Sequence, residues 1–135
     1  MGLGSGARVL VVDDHADTRE LLKFVLEWDG HVVRAAAGGA EALERVAEEA
    51  PDVAVVDLGM PGMDGFELVA KLTGNPAAEG TLVVVLTGND EPEARRRAER
   101  AGADAFLVKP VDRATLSACV SGLLRAERSK RPPVA

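Results

Sequence analysis

The chain has 135 residues, of which 47% are hydrophobic and 28% are charged, and this composition is typical of one globular domain. Its net charge of −6 disfavours direct nucleic-acid binding, which requires a basic surface. A single cysteine excludes an internal disulfide, and no apolar run reaches the length of a membrane span. Because no secretory signal is visible either, we expect a soluble, cytoplasmic domain that does not contact a membrane.

Strand-like and helix-like segments alternate along the chain. The strand-like segments are short and mostly apolar, and are in chain order Arg8–Asp13, His31–Ala36, Val53–Asp57, Thr81–Leu86 and Ala103–Val108. Each is followed by a segment with helical features, in order Thr18–Trp28, Ala40–Ala50, Gly65–Leu72, Glu91–Ala101 and Asp112–Arg125. Asp17 is predicted to cap the first helix, and Thr73–Gly80 is predicted to be a loop.

The nearly continuous apolar character of the strands is typical of a parallel sheet that helices cover on both faces. Five successive β-α units therefore predict an α/β fold, a doubly wound five-stranded parallel sheet with right-handed crossovers. The domain is expected to cover residues 8–126, between a flexible N-terminal segment over 1–7 and a flexible C-terminal tail over 127–135.

Polar residues follow four of the five strands at their carboxyl ends. Asp13 and Asp14 end the first strand, Asp57 ends the third, Thr87 the fourth and Lys109 the fifth. Open parallel sheets bind ligands at this edge. If the strand order is 2-1-3-4-5, the first and third strands are neighbours and the three aspartates face each other.

Three aspartates at one site need a compensating cation. Two like charges 4 Å apart repel by about 4 kcal/mol at an effective dielectric of 20, and Lys109 supplies only one positive charge. Hard oxygen donors without a histidine or cysteine cluster favour Mg²⁺, with Mn²⁺ as a substitute, over zinc. With Thr87 and Lys109 as donors to phosphate oxygens, the set suits phosphoryl transfer onto a carboxylate. The simpler alternative is aspartates that only cap helices or face solvent.

Four motifs, in register with the strand ends, resemble the receiver domains of response regulators. They are VLVVDD at Val9–Asp14, DLGMPGMDG at Asp57–Gly65, LTG at Leu86–Gly88 and FLVKP at Phe106–Pro110. The resemblance covers Arg8–Arg125 and implies the flavodoxin-like receiver fold with strand order 2-1-3-4-5. It also implies a cytoplasmic module of a two-component phosphorelay, which catalyses only its own phosphorylation and dephosphorylation and is not an enzyme for an external substrate.

The resemblance gives each residue of the set a role. Asp57 would accept a phosphoryl group from the phosphohistidine of a histidine kinase or a histidine phosphotransfer domain. Asp14 would ligate Mg²⁺ directly and Asp13 chiefly through a water, while the backbone carbonyl of Gly59 would complete the protein ligands. Lys109 would pair with the phosphoryl oxygens, and Thr87 would move inward to hydrogen-bond one of them.

The same resemblance extends to conformational features. Phe106 is similar to the aromatic switch residue of the family, and Lys109-Pro110 is similar to its cis peptide. Gly59 and Asn89 occupy the two positions that tune the phosphoryl lifetime in the family, and Gly59 has no side chain where many relatives carry a polar one. The lifetime is therefore not implied by the resemblance, and neither is the downstream partner.

Three features outside this set have two interpretations each. His15 directly follows the acidic pair and is expected to face solvent, because the ligand set is complete without it; contact with the metal is the alternative. Cys119 is expected to be an inert buried thiol in the apolar stripe of the last helix, against a redox role. The arginines within Arg95–Arg100 make the fourth helix cationic, either as part of the family's output surface or as a solvated face.

Other functions stay open on the sequence alone. A degenerate receiver that only docks proteins would not need the complete residue set. A Mg²⁺-dependent aspartyl phosphohydrolase would need a D-x-D pattern, whereas Leu58-Gly59 follows Asp57. A cobalamin- or flavin-binding domain would need a D-x-H-x-x-G pattern or more aromatic residues than the 3% present. The segments DLGMPGMDGFEL and FLVKPV resemble receivers of hybrid histidine kinases, so we expect a free-standing receiver or part of such a longer protein.

Overall fold

A computed structural model describes residues 6–129 of the chain. Within this range five strands alternate with five α-helices, in the order β1 (Arg8–Val12), α1 (Ala16–Trp28), β2 (Val32–Ala36), α2 (Gly39–Glu48), β3 (Val53–Val56), α3 (Gly65–Thr73), β4 (Leu82–Thr87), α4 (Pro92–Ala101), β5 (Ala105–Val108) and α5 (Arg113–Ser129). A short 3-10 helix, Pro76–Ala78, lies within the predicted loop between α3 and β4. No helix in the described range combines the length and hydropathy of a membrane span.

The five strands form one parallel sheet in the order β2-β1-β3-β4-β5, which confirms the predicted fold. The register aligns the ends of the strands that matter for the site. Val12 pairs with Val56, so β1 and β3 end side by side. Thr87 pairs with Val108, so the chain leaves β4 and β5 at the same edge.

Two apolar layers cover the sheet, one on each face. Because successive residues of a strand point to opposite faces, alternate residues of one strand enter different layers. Leu10 and Val12 pack with residues of α2, α3 and α4 such as Leu68. Val9 and Val11 pack with residues of α1 and α5. Burial on both faces explains the continuous apolar strands and leaves the carboxyl edge of the sheet as the place for polar groups.

The start of α1 differs from the prediction. The helix begins at Ala16 with His15 at the N-cap, so the prediction that Asp17 caps it is wrong, and Asp17 lies in the first turn. The His15 N–H donates to the Asp13 carboxylate at 2.9 Å, and the His15 carbonyl accepts from the Arg19 N–H at 2.9 Å. The chain therefore turns into the helix immediately after the acidic pair.

The described ends of the chain bear on the predicted flexible segments. Ala7 is buried, and its N–H donates to Nδ1 of His31 at 3.1 Å while its carbonyl accepts from Val32. Helix α5 continues to Ser129, beyond the predicted end of the domain at residue 126. The other residues of the predicted segments, 1–5 and 130–135, lie outside the described range, and the division at residues 8–126 stays a prediction.

Candidate functional site

The site is centred on two carboxylates that the paired ends of β1 and β3 bring together. The Asp13 N–H donates to the carbonyl of Ala36, and the Asp57 N–H donates to that of Val12, at 3.1 and 3.0 Å. These bonds extend the ladder by one residue and fix both aspartates at the edge of the sheet. Asp13 is 1% exposed and Asp57 is 6% exposed, so both carboxylates are almost fully removed from solvent.

Lys109 connects the two buried aspartates from the end of β5. Its ammonium lies 2.9 Å from Oδ2 of Asp13 and 3.4 Å from Oδ2 of Asp57. Its backbone N–H donates to the Thr87 carbonyl at 2.8 Å, and the Lys109–Pro110 peptide bond is cis. Burial disfavours the charged amine, but the hydrogen bond to Asp13 and the charge of Asp57 outweigh burial and raise the pKa of Lys109. The lysine is therefore a firmly charged ammonium at neutral pH.

Asp14 and His15 complete one side of the site. One donor atom from each of Asp13, Asp14, His15 and Asp57 lies within 4.8 Å of the others. The Asp14 side chain is 25% exposed, yet its Oδ1 is buried and has no hydrogen-bond partner among the described residues. A buried acceptor without a partner costs about 1–3 kcal/mol, and more when it is charged.

These observations fit a divalent cation. Three carboxylates and one ammonium leave two negative charges uncompensated, and the oxygen without a partner belongs to one of those carboxylates. Carboxylate oxygens are the donors that Mg²⁺ prefers. Asp13, Asp14 and Asp57 are therefore the side chains that could hold a metal, as the sequence indicated.

The loop after β3 is shaped by hydrogen bonds and by one glycine. The Gly59 N–H donates to Oδ1 of Asp57 at 3.1 Å, which leaves Oδ2 to Lys109. Gly65 opens α3 directly against the backbone of Asp57 and Leu58, where a Cβ atom would overlap the Asp57 carbonyl oxygen. Asp64 caps α3 by accepting from the Glu67 N–H at 2.8 Å. The DLGMPGMDG motif thus brings the start of α3 close to the Asp57 backbone, and this contact helps to position the Asp57 carboxylate.

Thr87 and Phe106 lie on the β4 and β5 side of the site. Thr87 is 3% exposed, and its hydroxyl accepts a hydrogen bond from the Asn89 N–H at 3.3 Å. Phe106 is buried in the layer that contains α4, and the Arg95 guanidinium lies 4.8 Å from the centre of its ring. Sequence reasoning identified both residues but not the arginine above the ring, because that contact depends on how α4 crosses β5.

The arginines of α4 are exposed, and several of them contact an aromatic ring or a glutamate. Arg97 lies 3.9 Å from the centre of the Phe66 ring, and Glu93 forms ion pairs with Arg96 and Arg100 at 3.2 and 3.0 Å.

Cys119 is partly buried in the layer that contains α1 and α5, and burial raises the pKa of its thiol, as expected for an inert residue.

The large apolar side chains that remain exposed lie mainly on α1. Leu21, Phe24 and Trp28 are each more than half exposed, and the Arg113 guanidinium lies 5.8 Å from the centre of the Trp28 ring. Apolar residues recur at helical spacing along α1, at Leu21, Leu22, Val25, Leu26 and Trp28. In the structure Leu22 and Leu26 are its buried residues.

Comparison with known proteins agrees with the geometry. A family model described as "Response regulator receiver domain" matches residues 9–121. The chain is 41% identical to the sensory/regulatory protein RpfC of Xanthomonas campestris over 93% of its own length, which is 18% of RpfC. The solved Vibrio cholerae chemotaxis protein CheY4 is 33% identical with a TM-score of 0.83, over 87% of this chain and 98% of that one.

A second solved structure comes from a histidine kinase. The signal receiver domain of a signal transduction histidine kinase from Syntrophus aciditrophicus is 32% identical, with a TM-score of 0.84, over 96% of this chain and 97% of that one. The family model covers most of the chain, and its span includes the acidic pair, Asp57 and Lys109. The chain therefore belongs to the family of response regulator receiver domains, the signalling modules of two-component systems.

Proposed function

We propose that this receiver domain is a phosphoacceptor, in which Asp57 takes a phosphoryl group from the phosphohistidine of a histidine kinase or a histidine phosphotransfer domain. The observation that carries the proposal is the Lys109 ammonium, which lies between the buried carboxylates of Asp13 and Asp57. A structural ion pair needs one lysine and one aspartate, whereas this arrangement gathers excess negative charge around a positioned lysine.

The transfer would proceed as one displacement at phosphorus. A carboxylate oxygen of Asp57 forms the new P–O bond, the P–N bond to the donor imidazole breaks, and its electron pair returns to the ring nitrogen. When bound, Mg²⁺ neutralises charge on the carboxylates and on the phosphoryl oxygens. The Gly59 N–H orients Oδ1 of Asp57, and Lys109 exchanges its contact with Oδ2 for a phosphoryl oxygen. Asp13, Asp14 and Asp57 would hold the cation, Asp13 chiefly through a water, with the Gly59 carbonyl as a further ligand.

The switch would follow from the new charge on Asp57. The Thr87 hydroxyl would leave the Asn89 N–H, a weak bond at 3.3 Å, and donate to a phosphoryl oxygen. Phe106 would then repack against β4 and shift the surface formed by α4, β5 and α5. The Arg95 guanidinium above the Phe106 ring couples this movement to α4.

The partner class is supported by the relatives. The similarity to RpfC and to a receiver of a signal transduction histidine kinase favours a chain that works with, or within, a hybrid histidine kinase. The similarity to CheY4 fits a free-standing regulator equally well. Both arrangements need the same phosphohistidine donor. We propose that the domain lies in the cytoplasm because it must meet that donor there.

The proposal is tested by intact mass after incubation with Mg²⁺ and acetyl phosphate. We expect a gain of one phosphoryl group that requires Mg²⁺ and is absent in Asp57→Asn. Asp90→Asn is the matched control, because Asp90 is an exposed aspartate of the β4–α4 loop. If the wild type gains no mass and does not bind beryllofluoride either, the domain is a docking module that works without phosphorylation.

A further inference from the structure

Helix α1 carries a stripe of apolar side chains that the rest of residues 6–129 does not cover. Leu21, Phe24 and Trp28 are 61%, 65% and 56% exposed, and the rings of Phe24 and Trp28 stack with their centres 6.5 Å apart. The helix packs on the sheet through Leu22 and Leu26, so these exposed side chains are additional to its buried face. We call Leu21, Phe24 and Trp28 the α1 stripe.

The α1 stripe is large enough to be an interaction surface. Phenylalanine and tryptophan each bury about 150–250 Å² when covered, so the exposed fractions leave roughly 350–400 Å² of apolar surface. Apolar patches of about 300–600 Å² on a monomer are often functional. Two such stripes give roughly 700–800 Å², less than the range of about 1,200–2,000 Å² for stable interfaces. Contact between two stripes is therefore expected to be weak and reversible.

The α1 stripe is nearly symmetric about its own middle. Along the chain, Asp17 and Trp28 lie equally far from the midpoint of Leu21 and Phe24. The spacings of four, three and four residues keep all four positions on one face of the helix, within an arc of about 60°. Two copies of α1 that pack antiparallel about a two-fold axis at this midpoint therefore place Leu21 of each copy against Phe24 of the other.

Opposite charges lie at the two ends of the α1 stripe. The exposed Asp17 is at the N-terminal end, whereas at the C-terminal end the Arg113 guanidinium lies 5.8 Å from the centre of the Trp28 ring. Neither charged group forms an ion pair with another residue of the range 6–129. The antiparallel arrangement brings Asp17 of each copy next to Arg113 of the other. These charges therefore favour antiparallel over parallel pairing of two copies.

Two glutamates on one flank of the α1 stripe oppose this pairing. Glu20 and Glu27 are exposed, and the same two-fold axis brings Glu20 of each copy near Glu27 of the other. Like charges that face each other across an interface weaken association. A basic partner protein would instead be attracted by these carboxylates, so neutralising Glu27 distinguishes a second copy from such a partner.

We propose that the α1 stripe is the interface of a weak, symmetric homodimer, in which two copies of this domain pack α1 against α1 in antiparallel orientation. The exposed apolar area, the symmetry of the stripe and the charges at its ends support this pairing, which goes beyond the proposed phosphoryl transfer. Leu21 also lines a cavity that extends to Lys109 and Pro110, so the second copy covers one approach to the site.

The experiment measures the mass of the unphosphorylated wild type by sedimentation equilibrium from about 10 μM to about 1 mM. Trp28 is the one tryptophan of the sequence, so its fluorescence emission should move to shorter wavelength over the same concentration range as the dimer forms. Phe24→Ala should weaken dimerisation about tenfold or more. Val32→Ala is the matched control, since Val32 is also 61% exposed but lies in β2, outside the α1 stripe.

Charge variants test the antiparallel register. Asp17→Arg and Arg113→Asp should each weaken the dimer about threefold or more, and the double variant should recover the wild-type affinity. Glu27→Gln should strengthen the dimer, and no gain there, or no recovery in the double variant, would overturn the antiparallel arrangement.

Two results would overturn the homodimer itself. One is a wild type that stays monomeric up to about 1 mM, which would leave the α1 stripe to a different protein. The other is a dimer that Phe24→Ala and Val32→Ala affect equally, which would place the interface elsewhere on the domain. Phosphorylation of Asp57 by acetyl phosphate is measured separately, so neither result bears on the proposed function.

Discussion

Replacing Lys109 by methionine tests how much the central ammonium stabilises the fold. Methionine keeps the length of the side chain but removes the charge that lies 2.9 and 3.4 Å from two buried carboxylates. At an effective dielectric of 20, a single pair at 2.9 Å is worth about 6 kcal/mol before desolvation is subtracted. Removing one partner of a buried pair costs about 3–5 kcal/mol. The Lys109 side chain is 25% exposed, so we expect a loss of about 2–3 kcal/mol.

The assay is urea unfolding followed by far-ultraviolet circular dichroism, with and without saturating Mg²⁺. A loss of about 2–3 kcal/mol lowers the midpoint by about 1 M urea. Because Mg²⁺ brings positive charge to the same carboxylates, it should reduce the deficit of Lys109→Met relative to the wild type. Lys71→Met is the control, since Lys71 forms an exposed pair with Glu67 and should change stability by less than about 0.5 kcal/mol. An unchanged midpoint, or a deficit that Mg²⁺ does not affect, would refute the reasoning.

The remaining predictions concern packing, backbone and pH. Gly65→Ala should lower stability by about 1–3 kcal/mol and slow phosphorylation, because the new Cβ meets the Asp57 backbone. Gly38→Ala is the control, since a Cβ at that position has open space. A normal phosphorylation rate in Gly65→Ala would contradict this prediction. Leu68→Ala should cost about 2–5 kcal/mol in urea unfolding, and exposed Leu21→Ala far less. Burial lowers the pKa of His31, and the charge of Asp29 only partly opposes this effect. The stability gained from the neutral imidazole is therefore complete above the ordinary pKa of histidine and is lost as pH falls through the lowered value. The wild type should lose more stability than His31→Asn between pH 8 and 5, and parallel curves would count against it.

The parts of the site that were predictable are those that follow from strand order. Once β1 and β3 are neighbours, the residues after Val12 and Val56 must meet, and their carboxylates need Lys109 or a cation. The less predictable parts depend on where a helix begins. The position of His15 follows from α1 starting directly after the acidic pair, whereas sequence reasoning placed the cap at Asp17. A capping residue is a local preference, and here the hydrogen bonds from His15 and Arg19 to Asp13 override it.

Two other differences have simple physical causes. The sequence predicted the end of α5 near Arg125, but no glycine or proline lies between Arg125 and Pro132, and the helix continues to Ser129. The contact of Arg95 with the Phe106 ring lies between two elements that are joined by a turn, so helical periodicity alone does not contain it. Contacts of this kind depend on the angle between elements, which the residue pattern does not specify.

The lysine at the centre of the site is 96 residues away in the chain from Asp13 and 52 residues away from Asp57. During synthesis, both aspartates are therefore made long before the ammonium that neutralises them. Its strand, β5, is an edge strand that pairs with β4 and is the last strand of the sheet along the chain. An unfinished chain that lacks β5 would carry the carboxylates of Asp13 and Asp57 without the ammonium that pairs with them. The complete set of charged groups that the proposed phosphoryl transfer needs would thus be present only once the last strand has joined the fold.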